Sequence, residues 1–146
     1  MARVLIVGCG CRGQALAREL VAAGHVVRGT TRDGARVDAI AAAGAEPYVG
    51  DPDRIGTLMG ALTGVTVVCW LLGRVPDPDL HGGRLRMLFE RLVDTPVRGV
   101  VYERALPEGE AIARDARERW RIPVAVIEPG DDVASAVDRV IMDRKG

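Results

Sequence analysis

Gly8, Gly10 and Gly13 form the pattern G-x-G-x-x-G. They follow the apolar run Val4-Leu5-Ile6-Val7 and open the amphipathic stretch 14–23. Between a strand and a helix, this triplet is a dinucleotide-binding fingerprint. Each glycine has its own physical task. Gly8 permits the tight turn out of the strand. Gly10 lacks the Cβ that would keep a pyrophosphate away from the backbone. Gly13 lets the helix pack closely on the strand. The helix beyond offers free N–H groups and a positive dipole end to phosphate. Cys11 and Arg12 fall inside the same turn, and Arg12 could add positive charge at its mouth.

The remaining candidates follow from where a ligand lies in an open parallel sheet, beyond the carboxyl ends of the strands. The residue that ends strand 2 is expected at Thr31, with Arg32 next. A carboxylate there binds ribose hydroxyls and repels a 2′-phosphate. A hydroxyl beside a guanidinium would hold one by charge-assisted bonds. Thr31 and Arg32 therefore point to NADP, with NAD as the alternative if Asp33 does the ribose work. Asp51 after strand 3, and Leu72, Gly73 and Arg74 after strand 4, complete the predicted cofactor edge. Trp70 reads either as a wall of a dry nicotinamide pocket or as plain core. His81 is a candidate general acid. Glu103 and Glu128 could pair across the cleft as acid and base. Charged loop residues are more often simply solvated, so these catalytic assignments rest on position alone.

The elements that must position these groups are legible from periodicity. Strands are predicted at 3–7, 26–30, 46–49, 65–71, 98–102 and 123–127. Helices are predicted at 14–23, 33–43, from about 53 to 62, after Gly83, from Pro107 and at 131–144. Asp33 is the expected cap of the second helix. Ile55, Leu58, Met59 and Leu62 supply the stripe of the third. Leu85, Leu88, Phe89, Leu92 and Val93 supply that of the fourth. Gly24-His25 ends the first helix, and His25 reads as a solvated turn residue. Six βα units in strict alternation give one doubly wound α/β domain over 1–146. Right-handed crossovers favour a parallel sheet of order 3-2-1-4-5-6 with helices on both faces. No stretch is left over for a substrate domain.

The 146 residues include 20 basic and 20 acidic side chains, so the formal net charge is zero. Bulk charge therefore gives no reason to expect nucleic acid or an anionic membrane as partner. Three cysteines, Cys9, Cys11 and Cys69, match neither a disulfide framework nor a zinc-ligand spacing, and no metal is expected. The N-terminal apolar run reads as a strand rather than a signal peptide, and the run 65–72 is too short to span a bilayer. A cytoplasmic location is expected. The single lysine, Lys145, matters for mechanism.

The run Val7-Gly8-Cys9-Gly10, the helix end Ala23-Gly24-His25 and the segment Gly29-Thr30-Thr31-Arg32 resemble atypical short-chain dehydrogenase/reductase relatives. More narrowly, they resemble NAD-dependent epimerase/dehydratase-like proteins whose loop reads G-x-G-x-x-G. Gly50-Asp51 and Gly64-Val65 fit the same pattern. The resemblance covers the first half well and the second half only in element order. It implies binding of NADP or NAD. Reductases of that family use a Tyr-x-x-x-Lys pair, in which lysine lowers the tyrosine pKa for proton transfer. Here neither Tyr48 nor Tyr102 is followed at four residues by lysine. The segment also resembles, less closely, the regulatory nucleotide-binding domains of potassium transport, which carry an acidic residue where this chain has Thr31.

Three functions follow as expectations. The first is an NADP(H)-binding sensor or regulatory protein that reports nucleotide state to a protein partner. The second is a small NADP-dependent oxidoreductase using His81 or Glu103. The third is a transport-type regulatory domain. A homodimer is expected through the fourth helix, with Phe89 and Leu92 as its exposed face.

Overall fold

The computed structural model describes residues 2–143. Arg144 and Lys145, the expected end of the last helix and the single lysine, lie outside the described residues. Six strands form one sheet: β1 (Arg3–Val7), β2 (Val26–Thr31), β3 (Glu46–Val49), β4 (Val67–Trp70), β5 (Gly99–Glu103) and β6 (Val124–Ile127). Every pairing is parallel, and the order is β3-β2-β1-β4-β5-β6. This is the expected doubly wound architecture. The order reverses between β1 and β4, which opens a crevice at the carboxyl ends of those two strands.

Successive strand residues point to opposite faces, so the near-continuous apolar runs feed two cores. Leu5, Val7, Val68, Trp70, Val100 and Tyr102 lie in one. Val4, Ile6, Val67, Cys69 and Val101 lie in the other. The first core is roofed by α3 (Gly83–Leu92) and α4 (Pro107–Trp120), the second by α1 (Cys11–Ala22), α2 (Val37–Ala42) and α5 (Val133–Met142). Pro107 opens α4, and Asp132 caps α5 by accepting from the Ser135 N–H.

The third predicted helix is not one. Residues Ile55–Leu58 and Gly60–Leu62 are two 3₁₀ turns. Gly56 and Gly60 weaken helix propensity in that stretch. The Thr57 hydroxyl also bonds back to the carbonyls of Asp51 and Arg54, which favours a tight local turn. Burial still follows the pattern: Ile55, Leu58 and Leu62 are core. The second helix begins as a 3₁₀ turn, Gly34–Arg36, with Asp33 capping it through the Ala35 N–H. His25 is half-buried, and its Nδ1 accepts from the Ala2 N–H at 3.0 Å, so it tethers the chain start.

The expected dimer face is also corrected. Phe89 and Leu92 are fully buried under α3 within the chain's own core and present nothing to a partner. Among the described residues no helix is long and apolar enough to cross a membrane.

Candidate functional site

The glycine turn separates its three tasks as the spacing requires. Gly8 has φ +89°, and a Cβ there would lie 2.9 Å from Leu72 Cδ2 and 3.0 Å from the Leu71 carbonyl oxygen. A side chain at Gly8 is therefore excluded twice, by conformation and by space. At Gly13 a Cβ would come within 3.1 Å of the Gly8 carbonyl oxygen and 3.2 Å of Ile6. Gly10 differs. Its φ is −83°, and the single atom near its missing Cβ is Arg36 Nη1 at 3.6 Å. The space above Gly10 is open and roofed by a cation.

α1 begins at Cys11 with Gly10 as its N-cap, and no side chain caps it or places an acid in its first turn. Its first N–H groups remain available to an anion. α1 shares this edge with Thr31 and Arg32 from the end of β2. Arg32 and Arg36 are exposed, and neither guanidinium makes a hydrogen bond or ion pair with another described residue. Thr31 is buried, and its hydroxyl is engaged locally: it accepts from the Asp33 N–H at 3.0 Å and faces the Asp33 carbonyl at 3.2 Å. The hydroxyl orients the Arg32 turn instead of standing free. Asp51 closes its own turn by accepting from the Asp53 N–H, at the end of β3. Arg36 is the residue that sequence reasoning missed. Its signal was its spacing, one helical turn beyond Arg32.

The other half of the edge is internally satisfied. Glu103, at the end of β5, is fully buried. Both its oxygens accept from the Arg12 guanidinium, Nη1 to Oε2 and Nη2 to Oε1, the latter at 2.7 Å. Oε1 also accepts from the Gly73 N–H at 2.8 Å. A Cβ on Gly73 would overlap the Glu103 side chain, so glycine is required there. Burial pushes the Glu103 carboxyl up. The hydrogen bonds from Arg12 and Gly73 and the charges of Arg12 and Arg74 outweigh burial and hold it below the usual carboxylate range. Glu103 is thus a charged acceptor, not a poised proton donor. The Glu103–Glu128 pair is corrected: Glu128 accepts from Arg104 at 2.8 Å, away from Glu103.

His81 is neither a solvated turn residue nor an accessible acid. It is fully buried. Its Nε2 lies 2.9 Å from the carbonyl oxygens of Leu72 and Val75, so Nε2 carries the proton and donates to them. Nδ1 then accepts from the Tyr102 hydroxyl at 2.6 Å. The pair binds the 73–82 connection to the end of β5. Burial pushes the Tyr102 phenol up to about 12. Trp70 is core, with no exposure. Leu72 is nearly buried and packs against Gly8. Arg74 is exposed beside Glu103. Burial likewise pushes the Cys9 thiol up to about 11 and that of Cys69 to about 12, so neither is a nucleophile near neutrality. Cys11 is exposed in the turn.

Residues 4–71, from β1 to the end of β4, match the TrkA-N domain. The match and the strand order agree on a Rossmann-type fold. Solved structures agree at the level of fold. Citrobacter sp. triphenylmethane reductase, solved in complex with NADP(H), superposes with a TM-score of 0.65 at 18% identity, over 84% of this chain and 48% of that one. UDP-glucose 4-epimerase from Thermotoga maritima gives 0.70 at 11% identity, over 85% and 54%. Vestitone reductase from alfalfa, Medicago sativa, gives 0.66 at 13% identity, over 86% and 56%. The chain thus spans about half the length of each. No curated protein is significantly similar in sequence.

Proposed function

We propose that this Rossmann domain binds NADP(H) and serves as a nucleotide-state sensor or regulatory domain. The observation that carries the reading is the open space over Gly10, roofed by Arg36 at the uncapped start of α1, with exposed Arg32 just past the end of the neighbouring strand β2. Backbone N–H groups and a dipole end suit the pyrophosphate, and the two guanidiniums suit a further phosphate on the adenosine side. When bound, the cofactor would supply hydride-transfer chemistry. Gly8, Gly10, Cys11 and Gly13 would hold its phosphates, and Arg32 and Arg36 its 2′-phosphate.

The sensor role is favoured over a small oxidoreductase because His81 and Glu103 are both spent on internal bonds. A proton donor must reach the group it serves. The match to TrkA-N gives the transport-type regulatory reading its own support, and that reading predicts NAD or ATP in place of NADP. One titration decides between them. Tryptophan-sensitised NADPH emission is measured on the wild type, Arg32→Ala and Arg36→Ala. Saturable NADPH binding that both substitutions weaken by about tenfold, with NADH bound more weakly, supports the proposal. Preference for NADH or ATP supports the transport-type reading. Absence of binding by all three overturns nucleotide recognition at this edge.

A further inference from the structure

β1 and β5 are not neighbours; β4 lies between them. The Arg12–Glu103 ion pair therefore reaches from the first turn of α1, over the end of β4, to the end of β5. Gly73, the third residue after β4, donates to the same carboxylate from below. In this architecture a dinucleotide lies across the switch point, one mononucleotide on each half of the sheet. The first half, at the ends of β1, β2 and β3, holds the glycine turn, Arg32 and Arg36 and is open. The second half, at the ends of β4 and β5, is where the nicotinamide mononucleotide belongs. The bridge runs through the boundary between them.

We infer that the Arg12–Glu103 bridge closes the nicotinamide half of the cleft, so that the closed form takes the adenosine 2′-phosphate end of its ligand alone, and a whole dinucleotide seats only when the bridge parts. The inference rests on the nucleotide-binding reading above and adds which part of the ligand that site accepts. The physical reason is competition. Arg12 Nη1 and Nη2 are both committed to Glu103, and its side chain is about one-third exposed. Glu103 has no exposure at all. Displacing Arg12 toward a pyrophosphate leaves that carboxylate buried with the Gly73 N–H as its one remaining hydrogen-bond donor, which is costly. Binding of the second mononucleotide must meet this cost. The nicotinamide half therefore contributes little net affinity, although it adds contacts. The adenosine half meets no such obstacle, because the Arg32 and Arg36 guanidiniums have no partner to leave among the described residues.

Calorimetric titration of the wild-type chain with adenosine 2′,5′-bisphosphate and with NADPH tests this. Equal dissociation constants, within about threefold, are expected for the two ligands. Glu103→Gln keeps the acceptor for Gly73 and removes the charge that holds Arg12. In that variant NADPH is expected to tighten by about tenfold while the bisphosphate does not change. Wild-type NADPH binding ten or more times tighter than the bisphosphate overturns the inference, and this comparison stands even if the variant does not fold. So does a variant that tightens both ligands alike, or neither. If the bisphosphate itself does not bind, the nucleotide-binding reading has failed, and the inference falls with it. If the bisphosphate binds and the selective effect is missing, the inference alone has failed.

Discussion

The two halves of the sheet's carboxyl edge are built on opposite principles. At the ends of β1 and β2 the groups that could meet a ligand are left unsatisfied. α1 has no cap, Gly10 faces open space, and Arg32 and Arg36 hold no internal partner among the described residues. At the ends of β4 and β5 the buried carboxylate and imidazole are consumed, and among the described residues the Trp70 indole N–H is the one buried side-chain group left without a partner. Glu103 takes Arg12 and Gly73, and His81 takes Tyr102, Leu72 and Val75. Both halves carry arginines, Arg32 and Arg36 in the first and Arg74 at the second, so cationic charge alone does not distinguish them. Burial does: a buried polar group must be paired, whereas an exposed cation need not be. The first half is therefore suited to recognition and the second to cohesion. Substitutions should separate the two cleanly.

The largest stability effect is expected in the second half. His81→Ala removes one partner from Tyr102 and from two buried carbonyls, and is expected to cost about 3–4 kcal/mol in urea unfolding. A loss below about 1 kcal/mol would show that the 73–82 connection is held by something else. Next, Gly8→Ala and Gly10→Ala should diverge. Gly8→Ala forces a side chain into positive φ against Leu71 and Leu72, and is expected to cost about 2 kcal/mol. Gly10→Ala should leave stability within about 0.5 kcal/mol yet abolish detectable NADPH binding. Equal destabilisation by both would mean that Gly10 is structural as well.

The pH dependence of the second half has a defined sign on each side. Glu103 has a lowered folded pKa, so its contribution is present above the unfolded carboxyl value near 4.5 and is lost as pH falls through the folded value. Glu103→Gln should flatten the acid limb of the stability profile, read by thermal unfolding from pH 6 downward. Tyr102 has a raised pKa, so its contribution is full below the unfolded value of 10 and is lost as pH rises toward about 12. Buried Cys9 and Cys69 titrate in the same alkaline window, so Tyr102→Phe should reduce the alkaline loss without removing it. The smallest stability effect belongs to the first half. Arg36→Ala should shift unfolding by less than about 0.5 kcal/mol while weakening NADPH by about tenfold. A large stability change there would erase the contrast between the halves.

Local rules determined much of this protein from its sequence. Apolar runs of strand length alternating with helical stripes dictated six parallel strands. The handedness of their crossovers dictated the order 3-2-1-4-5-6. The glycine spacing carried the distinct demands at Gly8 and Gly13, because each arises from a Cβ meeting atoms close by in the fold, while Gly10 faces open space. Asp33 as a cap and Pro107 as a helix start followed from first-turn chemistry. The stripe 55–62 predicted what would be buried but not the 3₁₀ geometry, since glycines and a Thr57 back-bond set the local turn independently of which side chains face inward.

Tertiary structure alone decided what each polar residue is for. Arg12 and Glu103 are 91 residues apart, and His81 and Tyr102 are 21 apart across a strand boundary. No periodicity links such pairs. Both exist because β1, β4 and β5 end side by side, so that groups from three connections converge in a space that excludes water. There a carboxylate or an imidazole must find whatever partner the packing supplies. The same convergence turned His81 and Glu103 from candidate acids into structural fastenings. It also left Arg36, one turn beyond Arg32, standing over the glycine turn.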